Sequence, residues 1–546
     1  MKYYFKPIVV LVFLFSITTY SQQKTKPKLI VGIVIDQMRA EYLYRFQENY
    51  TENGFKRLMQ EGFNVKNTHY NYIPTETGPG HTSIYTGTTP ANHGIVSNYW
   101  YDRDLKKNIY CAEDNTVYLV DNKGINKEVK YKNFSRSPKH NLTTTITDEL
   151  KLFTNNRSKV IGISLKDRGA ILPAGNMADY AFWFNHNNGH FVTSSFYNQE
   201  LPNWLIKFND ANLSDSFLKK TWNLLLPIEK YRNSNPDDSP YERIYKGKEK
   251  STFPYSLNDL NAQNGGYNLI MQTPLGNSLL TKFAEATIKG ECLGKNSDTD
   301  FLAISYSSTD KVGHDFGIRS KELEDTYLRL DREISKLLKI LDREVGKGNY
   351  TLFLTADHAG SDNPKYLESV NIPGKFYDPK KIETILNDKL SKDLGVKYDY
   401  ITYMNNTQIY VDYHNFSKIT VLEKMEIYLD EIDGIKHVFA PTLRNQSLNN
   451  SLIGSFVKNS YNPTNSGDII YQMQSGWMSR RAYGTSHGTS YTSDTHVPLL
   501  WYGFNIPKGE SVNYHRITQI APTLSLMFNI PLPNTSNLYP IKEIFD

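Results

Sequence analysis

Five apolar, strand-like runs punctuate this chain, and three of them lead within a few residues to Asp36, Asp310 and Asp357. Leu29–Ile35 ends at Asp36, Phe301–Ser305 precedes Asp310, and Tyr350–Thr355 precedes Asp357. Continuous apolar runs of this length are strands buried on both faces, the habit of parallel sheets. Val160–Ser164 is the fourth run. Val497–Tyr502 is the fifth, and Pro498 marks its beginning or an edge position, because proline gives no amide to a ladder. Leu323, Tyr327, Leu330, Ile334, Leu337, Leu338, Leu341 and Val345 recur at helical spacing and predict a core-packing helix before Tyr350. This alternation predicts an α/β fold, a mostly parallel central sheet flanked by helices. A single catalytic domain is expected over residues 26–546, carrying two sizeable insertions at about 182–266 and 364–468. The first is rich in Asn, Asp, Pro and aromatics. The second mixes short helical and strand-like patterns.

The chain has 546 residues, 39% hydrophobic and 22% charged, ample material for a core. The formal net charge of +5 has no lysine or arginine block behind it, so nucleic acid is not expected as the main partner. Met1–Ser21 reads as a signal peptide, with Lys2 and Lys6 before an apolar core at Ile8–Ile17 that is too short to span a bilayer. No later run is long enough to span one. A secreted or periplasmic protein follows, and a monomer is expected. Cys111 and Cys292 are the two cysteines, and the sequence leaves them equally open to pairing or to remaining free.

Open α/β sheets bind ligands beyond the carboxyl ends of their strands. Asp36, Asp310 and Asp357 fall there, and His314, His358, His487 and Thr77 join them in sequence character. Carboxylates and imidazoles in this mixture suit two divalent zinc-like ions. A hydroxyl beside such ions can act as a nucleophile, which points to a metallo-hydrolase of phosphate esters. Gly78-Pro79-Gly80 makes a tight turn after Thr77, and His81–Thr86 could begin a helix whose amides favour an incoming phosphate. Each residue has a plainer use. Asp36 suits a helix cap, Asp310 and His314 a loop, and His496 competes with His487. Thr75 or Thr82 competes with Thr77, and His81 fits a supporting role. The chain has no P-loop, no His-Glu-x-x-His segment and no convincing Gly-x-Ser-x-Gly elbow.

Val34-Ile-Asp36-Gln-Met-Arg, Thr75-Glu-Thr77-Gly-Pro-Gly-His81, Ser308-Thr-Asp310-Lys-Val-Gly-His314, Thr355-Ala-Asp357-His358 and Thr485-Ser-His487 together resemble the alkaline phosphatase superfamily. The likeness runs from about Lys28 to the C-terminus and is nearest to secreted PafA-type alkaline phosphatases, monoesterases with a threonine nucleophile. The resemblance implies two Zn2+ per chain. Asp36, Asp357 and His358 would hold one, with Thr77 facing it. Asp310, His314 and His487 would hold the other. It implies a phosphothreonine intermediate on Thr77 and small-molecule phosphate monoesters as substrates. Asn98 resembles the family asparagine that bonds a phosphoryl oxygen. Ser164-Leu-Lys166-Asp-Arg168 resembles the Lys/Arg pair of the monoesterases, whose charges complement the extra charge of a monoester dianion. Two rival readings remain. One is a phosphodiesterase or nucleotide pyrophosphatase on the same scaffold, and the other is a non-catalytic, metal-stabilised extracellular binding protein.

Overall fold

A computed structural model describes residues 26–127, 135–443, 451–479 and 483–545. The expected leader, Met1–Ser21, lies outside the described residues. Five parallel strands form the centre of an eleven-stranded sheet: β1 (Leu29–Ile35), β2 (Val160–Ser164), β3 (Tyr180–Asn185), β4 (Asp300–Tyr306) and β5 (Tyr350–Thr355). Their spatial order is β5-β1-β4-β2-β3. Every residue of β1, β2, β4 and β5 is buried, which explains why these strands read as unbroken apolar runs. Helices of this fold lie against the sheet. Among them α1 (Thr77–Thr86), α2 (Asp167–Ala174), α3 (Ser308–Phe316) and α4 (Lys321–Leu341) bear on the candidate site. The apolar stripe predicted before Tyr350 is the buried face of α4.

The sheet is mixed beyond its parallel centre. Leu499–Gly503 pairs antiparallel with β5, and Phe63–Val65 pairs antiparallel with that strand in turn. On the other side His190–Ser194 pairs antiparallel with β3. The fifth apolar run is broken at Pro498. His496–Val497 joins a separate three-stranded sheet, while Leu499–Gly503 lies inside the main one. Proline therefore marks a beginning here and not an edge.

The first expected insertion begins later than its composition implies. Residues 182–194 belong to β3 and its antiparallel neighbour, and the aromatic content of Phe182-Trp183-Phe184 is core packing. The second expected insertion runs on past residue 468. Ile469–Met473 completes a four-stranded antiparallel sheet with Ile401–Met404, Gln408–Val411 and Ile435–Phe439. Helices Pro379–Leu394 and Lys418–Asp430 pack with this sheet around their own buried cluster, including Leu386, Leu390, Met425, Ile469 and Tyr471. Among the described residues no helix is long and apolar enough to cross a membrane. Both cysteines are free, Cys111 buried and Cys292 exposed.

Candidate active site

Register brings distant residues to one level. Val34 pairs with Ser305 and with Thr355, and Ser305 pairs with Ser164. Asp36, Asp357 and Lys166 each lie two residues beyond this row. Asp310 and His314 come from α3, which opens two residues after β4 and presents both on one face at i, i+4. His487 arrives from the loop ahead of the last strands, held by its Nδ1 against Thr75 O at 2.7 Å.

These residues meet. Donor atoms of Asp36, Asp357 and His358 lie within 4.8 Å of one another, and so do those of Asp310, His358 and His487. His314 joins through Asp310, with Nε2 3.0 Å from Oδ1, and its ring centroid lies 5.2 Å from that of His487. His358 and His487 stack at 3.6 Å between centroids. The ring nitrogens turned away from the cluster are tied to carbonyls, His314 Nδ1 to Thr485 O and His358 Nδ1 to Ala359 O, both at 2.9 Å. Such bonds fix ring orientation and leave Nε2 as the inward ligand atom.

Asp36 Oδ1, Asp357 Oδ2 and His358 Nε2 are buried without a hydrogen-bond partner. They face one another, with His358 Nε2 3.5 Å from Asp36 Oδ1 and 3.7 Å from Asp357 Oδ2. Converging, unpartnered, buried donors of this kind fit a divalent cation. Burial pushes the Asp36 carboxyl up to about 6, and Asp310 and Asp357 add to the rise. Burial opposes ionisation of Asp310 too, but His314 and Lys166 outweigh it and hold that carboxyl well below its usual range. Burial, then His358 and His314, keep His487 in its neutral, ligating form.

Thr77 is the first residue of α1 and is 1% exposed. Its Oγ1 accepts from Arg168 Nη2 at 3.3 Å. The competing hydroxyls are engaged elsewhere, Thr75 Oγ1 donating to Thr489 O and Thr82 Oγ1 to Gly78 O. His81 bridges Thr77 O and Ser305 Oγ, each at 2.9 Å, and so supports the turn. His496 stands apart, bonded to Lys66 O and stacked on His69. Asn98 Oδ1 accepts from the Gly78 amide at 2.8 Å, and its Nδ2 makes no hydrogen bond among the described residues. Lys166 is 6% exposed and places Nζ 2.6 Å from both Asp36 Oδ2 and Asp310 Oδ2.

Several contributors carry no sequence signal. Gln37 takes a left-handed φ of 63°, rare for a side chain of its size. In that conformation its amide donates to Asp357 Oδ1 at 3.2 Å and its Nε2 to Asp310 Oδ1 at 2.7 Å. Glu76 accepts from Ser97 Oγ and Asn98 N, which pins the Asn98 loop beside α1. Arg168 Nη1 donates to Tyr110 OH, which donates to Asp167; Asp167 also takes Arg136 Nε at 2.6 Å. A cavity of about 770 Å³ lies between α4 and the helix Leu275–Gly290 and shares no lining residue with this cluster.

The chain is similar to known proteins along most of its length. The profile of the family described as Type I phosphodiesterase / nucleotide pyrophosphatase matches residues 30–498. A Myroides odoratus protein named calcium-transporting ATPase is 41% identical over 535 residues, 96% of this chain and 96% of its own length. The alkaline phosphatase PhoV of Synechococcus elongatus is 41% identical over 533 residues, 95% of this chain and 93% of its own length. A crystal structure of wild-type alkaline phosphatase PafA superposes with a TM-score of 0.90 at 39% identity, covering 95% of this chain and 99% of that one.

Proposed function

The chain belongs to the type I phosphodiesterase/nucleotide pyrophosphatase family and groups there with the PafA-like alkaline phosphatases, and from that premise we propose that it hydrolyses phosphate monoesters to alcohol and inorganic phosphate. Thr77 is the nucleophile of this reading and carries the phosphoryl group as a phosphothreonine. Asp36, Asp357 and His358 would hold one Zn2+, and Asp310, His314 and His487 a second. When bound, these ions supply Lewis acidity toward the attacking and leaving oxygens.

The chain's own residues do the positioning. The positive end of the α1 helix dipole lies at Thr77 and favours negative charge there. Arg168, half-buried and held by Tyr110, offers a forked donor 3.3 Å from Thr77 Oγ1. Asn98 Nδ2 is available for a phosphoryl oxygen. Lys166 adds a second fixed positive charge. The observation that carries the monoester reading is Arg168 at the Thr77 hydroxyl, with Lys166 fixed on Asp36 and Asp310 of the same cluster. A monoester dianion exposes one more charged oxygen than a diester, and preorganised cations stabilise it through the transition state. The leader, Met1–Ser21, is proposed to export the chain to the periplasm or beyond. The transport named for the Myroides relative is no part of this reading.

Hydrolysis of p-nitrophenyl phosphate and of its bis-ester, before and after chelation and zinc add-back, tests the proposal. The monoester is expected to react faster, with zinc restoring turnover. Thr77→Ala is expected to abolish it on a folded chain. Preference for the bis-ester would make the protein a diesterase. Undiminished turnover by Thr77→Ala would remove the covalent step, and no turnover with zinc would leave a binding protein.

A further inference from the structure

Away from the candidate active site, two glutamates are buried near each other, and neither forms an ion pair among the described residues. Glu242 lies between the strands Thr221–Trp222 and Tyr255–Ser256 and is 6% exposed, while Glu322 lies in the first turn of α4 and is fully buried. Both carboxylate oxygens of Glu242, and Oε2 of Glu322, lack a hydrogen-bond partner. Glu322 Oε1 accepts from Tyr255 OH at 2.5 Å. That hydroxyl lies 3.3 Å from Ser251 Oγ, which stands beside Glu242 but directs its proton to Arg243 O at 3.1 Å.

The cations of the neighbourhood are committed elsewhere. Arg243 pairs with Asp315 at 3.1 Å, Lys248 donates to Pro254 O at 2.9 Å, and Lys321 donates to Tyr231 O at 3.3 Å. Asp237 adds a further negative charge and is capped by the Phe253 amide. Burial, followed by the field of Glu322, pushes the Glu242 carboxyl up to about 10. Burial pushes Glu322 up to about 8, with Asp237 and Asp325 contributing. Buried carboxyl oxygens without a hydrogen-bond partner are rare, and a proton or a cation from outside the chain satisfies them.

We propose that Glu242 and Glu322 bind a calcium ion, with Ser251 Oγ and water completing an all-oxygen shell. The donor set has no imidazole or thiol, which favours a hard cation over zinc. Calcium also tolerates the irregular geometry of carboxylates from separate segments. The ion would pin residues 223–254 to the junction of α3 and α4. That segment already touches the junction through Asn235 N to Arg319 O at 2.7 Å and Arg243 N to Asp315 O at 2.8 Å. Since α3 carries Asp310 and His314, the calcium steadies the frame of the active site without entering its chemistry.

Thermal unfolding of the purified chain in EGTA and then in excess Ca2+ tests this. At about a hundredfold excess over Kd, calcium is expected to raise Tm by about 3 °C. Glu242→Gln is expected to lose that shift while retaining ester turnover. A measurement on the unmodified chain needs no variant: Tb3+ luminescence excited through tyrosine, with Tyr255 hydrogen-bonded to a ligand, displaced by Ca2+ but not by Zn2+. The absence of both a calcium shift and calcium-displaceable luminescence overturns the proposal, and indicates instead a carboxyl pair sharing a proton. An unchanged calcium shift in Glu242→Gln overturns it as well.

Discussion

Gly80 lies one turn into α1, and a methyl group there would meet the loop that carries Asp357. A Cβ built at Gly80 falls 2.2 Å from Asp357 O and 2.9 Å from Asp357 Cβ, where ordinary contact begins at 3.4 Å. The obstacle is backbone, so no side chain can rotate aside. Gly80→Ala must therefore open the gap between α1 and the Asp357 loop by about 1 Å, and a misplacement of that size in an active site costs about 100-fold in rate. This corresponds to about 2.7 kcal/mol of transition-state stabilisation. The overpacking itself is expected to cost about 1–3 kcal/mol of stability, which leaves a folded protein. The assay is kcat/KM for p-nitrophenyl phosphate on zinc-loaded protein, with circular dichroism and Tm alongside. Gly54→Ala is the control. Its Cβ would fall 2.0 Å from Asp331 Oδ1, a clash of similar severity far from Thr77 in the fold. It is expected to lower Tm with turnover per folded molecule unchanged. If Gly80→Ala stays within threefold of the parent, the contact between α1 and Asp357 does not set the position of Thr77, and the reasoning fails.

Two further outcomes follow from the same geometry. Gln37→Ala removes the bond from Nε2 to Asp310 and is expected to weaken zinc retention about tenfold in chelator competition, with rate restored by excess zinc; unaltered retention would mean that Gln37 does not orient its ligand. Zinc affinity of the metal-free chain is expected to fall as pH drops through about 6, because Asp36, held up to about 6 chiefly by burial, is protonated below that value and its proton must be displaced. Titration between about pH 5 and 8 checks this, and a flat profile would show that Asp36 does not gate binding.

Much of the fold was legible because its central strands are buried on both faces. β1, β2 and β5 have the bounds of their apolar runs, and β4 adds one residue at each end. The flanking strands were not legible for a complementary reason. Phe63–Val65 and Leu119–Asp121 are three residues long, too short to show a period. The candidate site residues were visible by type, and Asp36, Asp310, Asp357 and Lys166 also by their position after a strand. Gln37 was not, since its role depends on a left-handed backbone angle that no residue type announces. Nor was the use of Asn98 Oδ1 on the Gly78 amide, which makes that side chain a cap for α1 as well as a candidate ligand for phosphate.

The electrostatics of the site depend on strand register more than on residue identity. Asp357, Asp36 and Lys166 stand two residues past a row of mutually paired positions, so parallel pairing alone sets them at one height. In the spatial order β5-β1-β4-β2 three carboxylates, Asp357, Asp36 and Asp310 on α3, are followed by one ammonium, and Lys166 reaches two of the carboxylates at 2.6 Å. A slip of β2 by one residue would bring Asp167 to the position of Lys166 and turn its inward face outward. A fourth carboxylate would then face the other three, and Arg168 would lose the partner that holds its helix start. The register of β2 is protected by burial of all five of its residues and by the Ser164 hydroxyl, which donates to Ser305 O at 3.0 Å. The apolar run that made this strand recognisable in the sequence is thus also what keeps a positive charge, and not a negative one, against Asp36 and Asp310.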